Sequence, residues 1–103
     1  MSKLTRISPD QAAFTCPGCG RPHFVRVNDR GDQAGGAWGW NLSLDRPTLT
    51  PSILTWRTNE RCHSYVREGR IQFLSDCTHL LRNQTVELPE WQGLWGGRDG
   101  EDL

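Results

Sequence analysis

The stretch Cys62-His63-Ser64-Tyr65-Val66-Arg67-Glu68-Gly69-Arg70-Ile71-Gln72-Phe73-Leu74-Ser75-Asp76-Cys77-Thr78-His79 decides the fold. Two β-prone runs, Cys62 to Val66 and Ile71 to Ser75, flank a turn that contains a glycine, which is a hairpin signal. The open end of that hairpin collects two Cys, two His, a Ser and an Asp. Such side chains either bind a metal or activate a nucleophile, and the rest of the chain has to say which.

Working outward, the next informative stretch is Phe14-Thr15-Cys16-Pro17-Gly18-Cys19-Gly20-Arg21-Pro22-His23-Phe24-Val25. It places C-P-x-C-G between two β-prone flanks. In a zinc knuckle the Pro and Gly turn the backbone so that both thiolates point at one ion, and the Gly after the second Cys accepts a left-handed conformation. A thioredoxin-like redox pair is the competing reading, but its βαβ context is missing. A first strand is expected around Leu4 to Ile7. Residues 28 to 37 read as a polar, Gly-rich loop, and Trp38-Gly39-Trp40-Asn41-Leu42 as a strand with both Trp on one face, in the core. Pro47 and Pro51 bracket an edge or crossing segment, because Pro cannot donate to a ladder. A strand follows from Ser52. Leu80 and Leu81 read as a short helical turn, and Thr85 to Leu88 as a last strand.

Composition agrees with a small, mostly β domain stapled by metal. In 103 residues the chain carries five Trp, eleven Gly and six Pro, with 35% hydrophobic residues. No window keeps a helical apolar period, and so thin a core gains from a metal cross-link. Lys+Arg and Asp+Glu balance at 12 each, which gives no global basic field for nucleic acid. No apolar run approaches the roughly 20 residues of a membrane span, and Met1-Ser2-Lys3-Leu4-Thr5-Arg6 lacks a signal-peptide core. A cytoplasmic protein is expected, in which four Cys are thiols or metal ligands rather than disulfides. The expected organisation is a single zinc-binding β domain over residues 1–95 with a flexible acidic tail at 96–103, fraying beyond about Trp95.

Cys16 and Cys19 supply half of a tetrahedral site, and the candidates for the rest are His23, Cys62, His63, Cys77 and His79. Strand alternation puts Cys62 and Ser64 on one face and His63 on the other. On the partner run, Cys77 and His79 share a face if it stays extended, and Asp76 faces away. A sulfur set of Cys16, Cys19, Cys62 and Cys77 then closes a structural zinc (Zn2+) and leaves Ser64 beside His79. Ser64, His79 and Asp76 are the residue types of a nucleophile, a general base and its orienting carboxylate. His63 is a second candidate base and Ser52 a second candidate nucleophile. Other readings stay open at this level: His63 and His79 as zinc ligands, Asp76 as a turn cap, His23 as a core residue, Ser64 as a donor to a thiolate.

The order Phe14-x-Cys16-Pro17-Gly18-Cys19-Gly20, Trp40-Asn41, Pro47-Thr48-Leu49-Thr50-Pro51-Ser52-Ile53, Cys62-His63-Ser64-Tyr65-Val66, Gly69-Arg70-Ile71-Gln72-Phe73 and Asp76-Cys77-Thr78-His79 with Gln84-Thr85-Val86 resembles one small family. It is a family of phage, prophage and bacterial proteins often mislabelled "ammonia monooxygenase", and the likeness covers roughly residues 14 to 89. Members occur beside bacterial ubiquitin-like proteins and their conjugation enzymes. The resemblance implies a peptidase that trims or deconjugates the ubiquitin-like protein, with the role falling on His63, Ser64, Asp76 and His79. Where members carry Ala-Gly before Gln-Thr-Val, this chain has Arg82-Asn83, and Asn also tolerates a left-handed turn.

The expectation is therefore a zinc-containing, serine-type peptidase: Ser64 as nucleophile, His79 or His63 as base, Asp76 as orienter, and Cys16, Cys19, Cys62 and Cys77 on zinc. Its substrate would be the C-terminal tail of a ubiquitin-like protein laid along an exposed strand edge. The alternatives are a zinc-ribbon-like binding module presenting Trp38, Trp40 and Trp56, and a metallopeptidase with catalytic zinc.

Overall fold

The computed structural model describes residues 2–93. Strands β1 (Leu4–Ser8), β2 (Gln11–Cys16) and β3 (Arg21–Arg26) form one antiparallel meander. A second sheet runs β4 (Gly39–Trp40), β5 (Leu49–Arg57), β6 (Glu60–Arg67), β7 (Arg70–Phe73) and β8 (Thr85–Glu87), each strand paired antiparallel with the next. The helical content of the described residues is one 3-10 turn, Ala34–Gly36. The mostly β class read from the sequence is the observed one. Among the described residues no helix is long and apolar enough to cross a membrane.

The hairpin that anchors the sequence reading is β6–β7, with Val66 opposite Ile71 and Arg67 opposite Arg70. Glu68 and Gly69 close it with φ of 50° and 79°. Two left-handed residues in a two-residue loop match the right-handed twist of the flanking strands. Along β6, Cys62, Ser64 and Val66 are buried while His63 and Tyr65 are half-buried on the other face. That alternation decides the chemistry described below.

A single apolar cluster joins the sheets, with Leu4, Phe14, Cys16 and Val25 from the first and Leu49, Ile53, Val66, Ile71 and Phe73 from the second. Truncating Phe14 or Phe73 to Ala would cost roughly 3–5 kcal/mol by leaving a cavity in so small a core. Residues Ala12 to Cys16 are all buried, although they alternate between faces. The chain covers their outer side when it returns near its end: the Trp91 N–H donates to Ser2 O at 2.8 Å and the Gln92 N–H to Thr15 Oγ1 at 3.1 Å.

Three local expectations are revised. The strand foreseen over Trp38–Leu42 is only Gly39–Trp40, because Asn41 turns its side chain back on the loop. Its Oδ1 accepts from the N–H groups of Ser43 and Thr48, its Nδ2 donates to Arg46 O, and Leu42 sits at φ 66°. β5 begins at Leu49 rather than Ser52 and carries Pro51 within it, on the stretch where its pairing with β6 is interrupted. Beyond Phe73 the chain does not stay extended, so Asp76, Cys77 and His79 lie in turns and loop. Asn83 has φ 67°, the left-handed conformation expected of it. The expected tail at 96–103 lies outside the described residues.

Candidate active site and metal centre

The β5–β6 ladder pairs Leu49 with Val66 and Ile53 with Ser64, so residues 50–52 of β5 stand against Tyr65 alone. Such a bulge bends its strand and re-aims side chains. Here it brings Ser52 Oγ to 3.0 Å from His63 Nε2 on the outer face of the sheet. The other ring nitrogen, His63 Nδ1, lies 3.1 Å from Asp76 Oδ2. With Nδ1–H donating to the carboxylate, Nε2 is left as the acceptor for the Ser52 hydroxyl proton. Ser52, His63 and Asp76 thus form a continuous hydroxyl–imidazole–carboxylate chain.

The turn bearing Asp76 is fastened to the strand bearing His63. Leu74 N–H donates to His63 O at 2.9 Å, and Thr78 N–H to Arg61 O at 2.9 Å. The Cys77 thiol accepts from His63 N–H and donates to His63 O, each at 3.2 Å. On the other side of the chain, Trp38 Nε1–H donates to Pro51 O and Gln33 Nε2–H to Thr50 O, both at 3.0 Å. The two carbonyls just before Ser52 are therefore held by side chains from the loop that precedes β4.

Ser64 does not join this arrangement. It is fully buried with Cys62 and Val66 on the core face, and its Oγ has no hydrogen-bond partner. A substrate carbonyl has no route to it in this fold, and no hydrogen bond joins it to His79 among the described residues. His79 instead packs edge-on against Phe73 at 4.5 Å between ring centroids, with Nε2 3.5 Å from Cys62 Sγ. Of the residues expected to be catalytic, the structure brings His63 and Asp76 together and leaves Ser64 and His79 elsewhere.

The metal-ligand candidates gather on the opposite, inner face. Donor atoms of Cys16, Cys19, His23 and Cys62 all lie within 4.8 Å of one another, and those of Cys62, Cys77 and His79 form a second such group. The knuckle closes as its sequence implies: Gly20 N–H donates to Cys16 O at 2.8 Å, Cys19 N–H approaches Cys16 Sγ at 3.4 Å, and Gly20 has φ 72°. Gly18 must lack a side chain, since a Cβ there would run into the His79 ring. Cys16 Sγ and Cys62 Sγ are 3.8 Å apart. A tetrahedral ion with metal–sulfur distances of about 2.3 Å spaces its sulfurs by about 3.8 Å.

Two further observations fit a cation at the first group. His23 is 4% exposed and neither ring nitrogen makes a well-formed hydrogen bond; its polar neighbour is the Cys19 thiol, which it helps to hold low, an arrangement a shared cation would satisfy better. The three thiols also divide protons unevenly. Hydrogen bonds from Cys16 and Cys62 pull the Cys19 thiol well below its ordinary range, while donating to Cys19 pushes Cys16 up to about 12. Hydrogen bonding to Cys16 and Cys19 likewise pushes Cys62 up. A bound cation relieves that conflict by stabilising all three thiolates together. The expected set of four sulfurs is not assembled: Cys77 falls in the second group, with its thiol on the His63 backbone, and His23 takes its place in the first.

A family model described as bacterial ubiquitination-like system serine protease (BubE) matches residues 2–74. The chain belongs to this family. No curated protein and no solved structure matches it. The BubE match spans the knuckle, Ser52 and His63 and stops two residues short of Asp76. The peptidase resemblance read from the sequence is therefore the correct family, and its description names a serine protease.

Two surface depressions lie toward the far end of β5 and β6 from Ser52. One of about 350 Å³ lies beside the metal-ligand candidates, bounded by Gly18, Cys19, Arg21, Trp56, Cys62 and His79. A second, of about 380 Å³, is bounded by Trp56, Arg57, Asn59, Glu60, Arg61 and Thr78. Of the Trp residues considered as a contact surface, Trp40 is buried and Trp38 half-buried, which leaves Trp56, at 68% exposure.

Proposed function

We propose that this protein is a serine peptidase that cleaves at the C-terminal tail of a ubiquitin-like protein, trimming a precursor or releasing a conjugate, with Ser52 as the nucleophile. The observation that carries this reading is the hydrogen-bonded chain from Ser52 through His63 to Asp76. Ser52 Oγ attacks the scissile carbonyl as His63 Nε2 takes its proton, and the Asp76 carboxylate steadies the imidazolium that forms. His63 then passes the proton to the leaving amine, and a water activated by the same imidazole releases the acyl group from Ser52. The family description supports the serine nucleophile and the ubiquitin-like setting.

Cys16, Cys19, His23 and Cys62 would hold zinc, which when bound supplies a cross-link between the two sheets. Four protein ligands leave no open coordination position, so this centre is read as structural. It sits behind the sheet from Ser52, and Cys62 and His63 are adjacent residues on opposite faces of β6. The anchor therefore fixes the strand that presents the base. The test is cleavage of the ubiquitin-like protein of the same bacterial system, carrying a C-terminal extension. Wild type should cleave it and Ser52→Ala should not, with fold and metal content equal in the two. Full cleavage by Ser52→Ala would reject the assignment.

A further inference from the structure

The sheet face that carries Ser52 ends in an edge that the described residues leave bare. β4 pairs with β5 only at Leu49 and Thr50, while β6 occupies the other side of β5 through to Arg57. No backbone hydrogen bond outside the sheet ladders involves Ile53 to Arg57 among the described residues. The nucleophile therefore stands at the start of a strand whose outer edge offers unpaired N–H and C=O groups. Exposed edges are ordinarily blunted by charges, Pro or a covering loop. This one instead carries Leu54 at 42% and Trp56 at 68% exposure, alternating with Thr55 on the face that Ser52 shares.

We infer that the outer edge of β5 from Ile53 to Arg57 binds the residues preceding the scissile bond as an added antiparallel strand, with Leu54 and Trp56 selecting apolar side chains at alternate positions. This rests on the reading of Ser52 as nucleophile. The direction follows from pairing: an antiparallel ladder is slightly stronger per residue than a parallel one. A peptide running antiparallel to β5 starts near Arg57 and delivers its carbonyl at Ser52. Cross-strand neighbours on one face lie about 4.5–5.5 Å apart, so substrate side chains opposite Leu54 and Trp56 touch them directly. Those contacts repeat about every 6.8 Å along the strand. Past Trp56, the depression of about 380 Å³ bounded by Arg57, Asn59, Glu60 and Arg61 leaves room for a bulky group upstream. Backbone pairing along an edge holds a peptide without a deep pocket.

The test separates this from the nucleophile assignment. Fluorescein-labelled octapeptides with Leu or with Asp at alternate positions are titrated onto the Ser52→Ala variant, and binding is read by anisotropy without turnover. The Leu peptide should bind more tightly than the Asp peptide, and methylating its backbone nitrogens should abolish binding. Trp56→Ala or Leu54→Ala, both at exposed positions, should weaken the Leu peptide roughly tenfold, as loss of an aromatic or aliphatic anchor does. Equal affinity for the Leu and Asp peptides, no binding at millimolar peptide, or a Kd unchanged within about twofold in both variants would overturn the inference. In parallel, a fluorophosphonate probe should label wild-type Ser52 and leave Ser52→Ala unlabelled. Failure of the probe to label Ser52 rejects the nucleophile assignment whatever the anisotropy shows.

Discussion

Ser52 Oγ and His63 Nε2 lie 3.0 Å apart across β5 and β6, although the residue paired with His63 in the ladder is Leu54. The contact exists because residues 50–52 bulge against Tyr65, shifting Ser52 along the strand toward the imidazole. The hydroxyl–imidazole contact is thus a property of strand pairing rather than of any short motif.

Substituting the two serines separates the two faces of the sheet. Ser52→Ala is expected to lower kcat for tail cleavage by at least about 10⁴-fold, the loss typical when a triad nucleophile is removed. Ser64→Ala removes a buried hydroxyl with no partner and should leave kcat within a few-fold and stability equal or higher. Steady-state kinetics with thermal melts on both variants checks the pair.

In the proposed mechanism Asp76 fixes the His63 tautomer through Nδ1, so Asp76→Asn is expected to cost roughly 10²–10⁴-fold in kcat with little change in KM. An amide can turn its NH₂ toward Nδ1 and favour the tautomer in which Nε2 is protonated and cannot take the serine proton. Activity of Asp76→Asn near the wild-type level would remove Asp76 from the mechanism.

The proposed metal centre is checked by stoichiometry. One zinc per chain is expected, and His23→Ala and Cys62→Ser should each lose it and lower the melting temperature sharply, whereas Cys77→Ser should keep it. The reverse pattern, with zinc lost in Cys77→Ser and kept in His23→Ala, would restore the four-sulfur set. A strong chelator should unfold the protein rather than merely stop turnover. Gly18→Ala should destabilise by about 1–3 kcal/mol, since its methyl needs the space of the His79 ring.

The loop that holds the Ser52 segment has its own acid sensitivity. The Arg30 guanidinium, with Asn28 and the Ala34 N–H, pulls the Asp32 carboxyl down from 3.8 to about 2. A carboxyl depressed by folding contributes stability that is complete above its unfolded value and is lost as pH falls through the folded one. Wild type should therefore lose melting temperature between about pH 4 and pH 2 more steeply than Asp32→Asn. Melts across that range read the difference, and parallel curves would dismiss the Asp32 contribution.

Strand alternation in the sequence already placed His63 away from Cys62 and Ser64, and that separation is the one observed. Ser64 and His79 were expected side by side on the assumption that His79 continues an extended run, and the structure does not hydrogen-bond them. The chain instead turns after Phe73, which carries Asp76 round to His63 and His79 to the knuckle. Ser52 was visible only as a second candidate, since a bulge leaves no signature beyond the nearby Pro51. His23 was one of several ligand candidates, with a core role left open because Phe24 and Val25 flank it; it is buried, and its place among Cys16, Cys19 and Cys62 makes it a candidate ligand.

By itself, then, the sequence determined the β class, the hairpin at Cys62–His79, the Cys16–Cys19 knuckle and the family likeness, because turn residues, residue alternation and short ligand spacing are local properties. Only the tertiary structure decided which serine meets which histidine and which cysteines and histidines gather into candidate metal-binding groups. Those pairings depend on the register between β5 and β6 and on how the first sheet packs over the second, distances that no local pattern encodes.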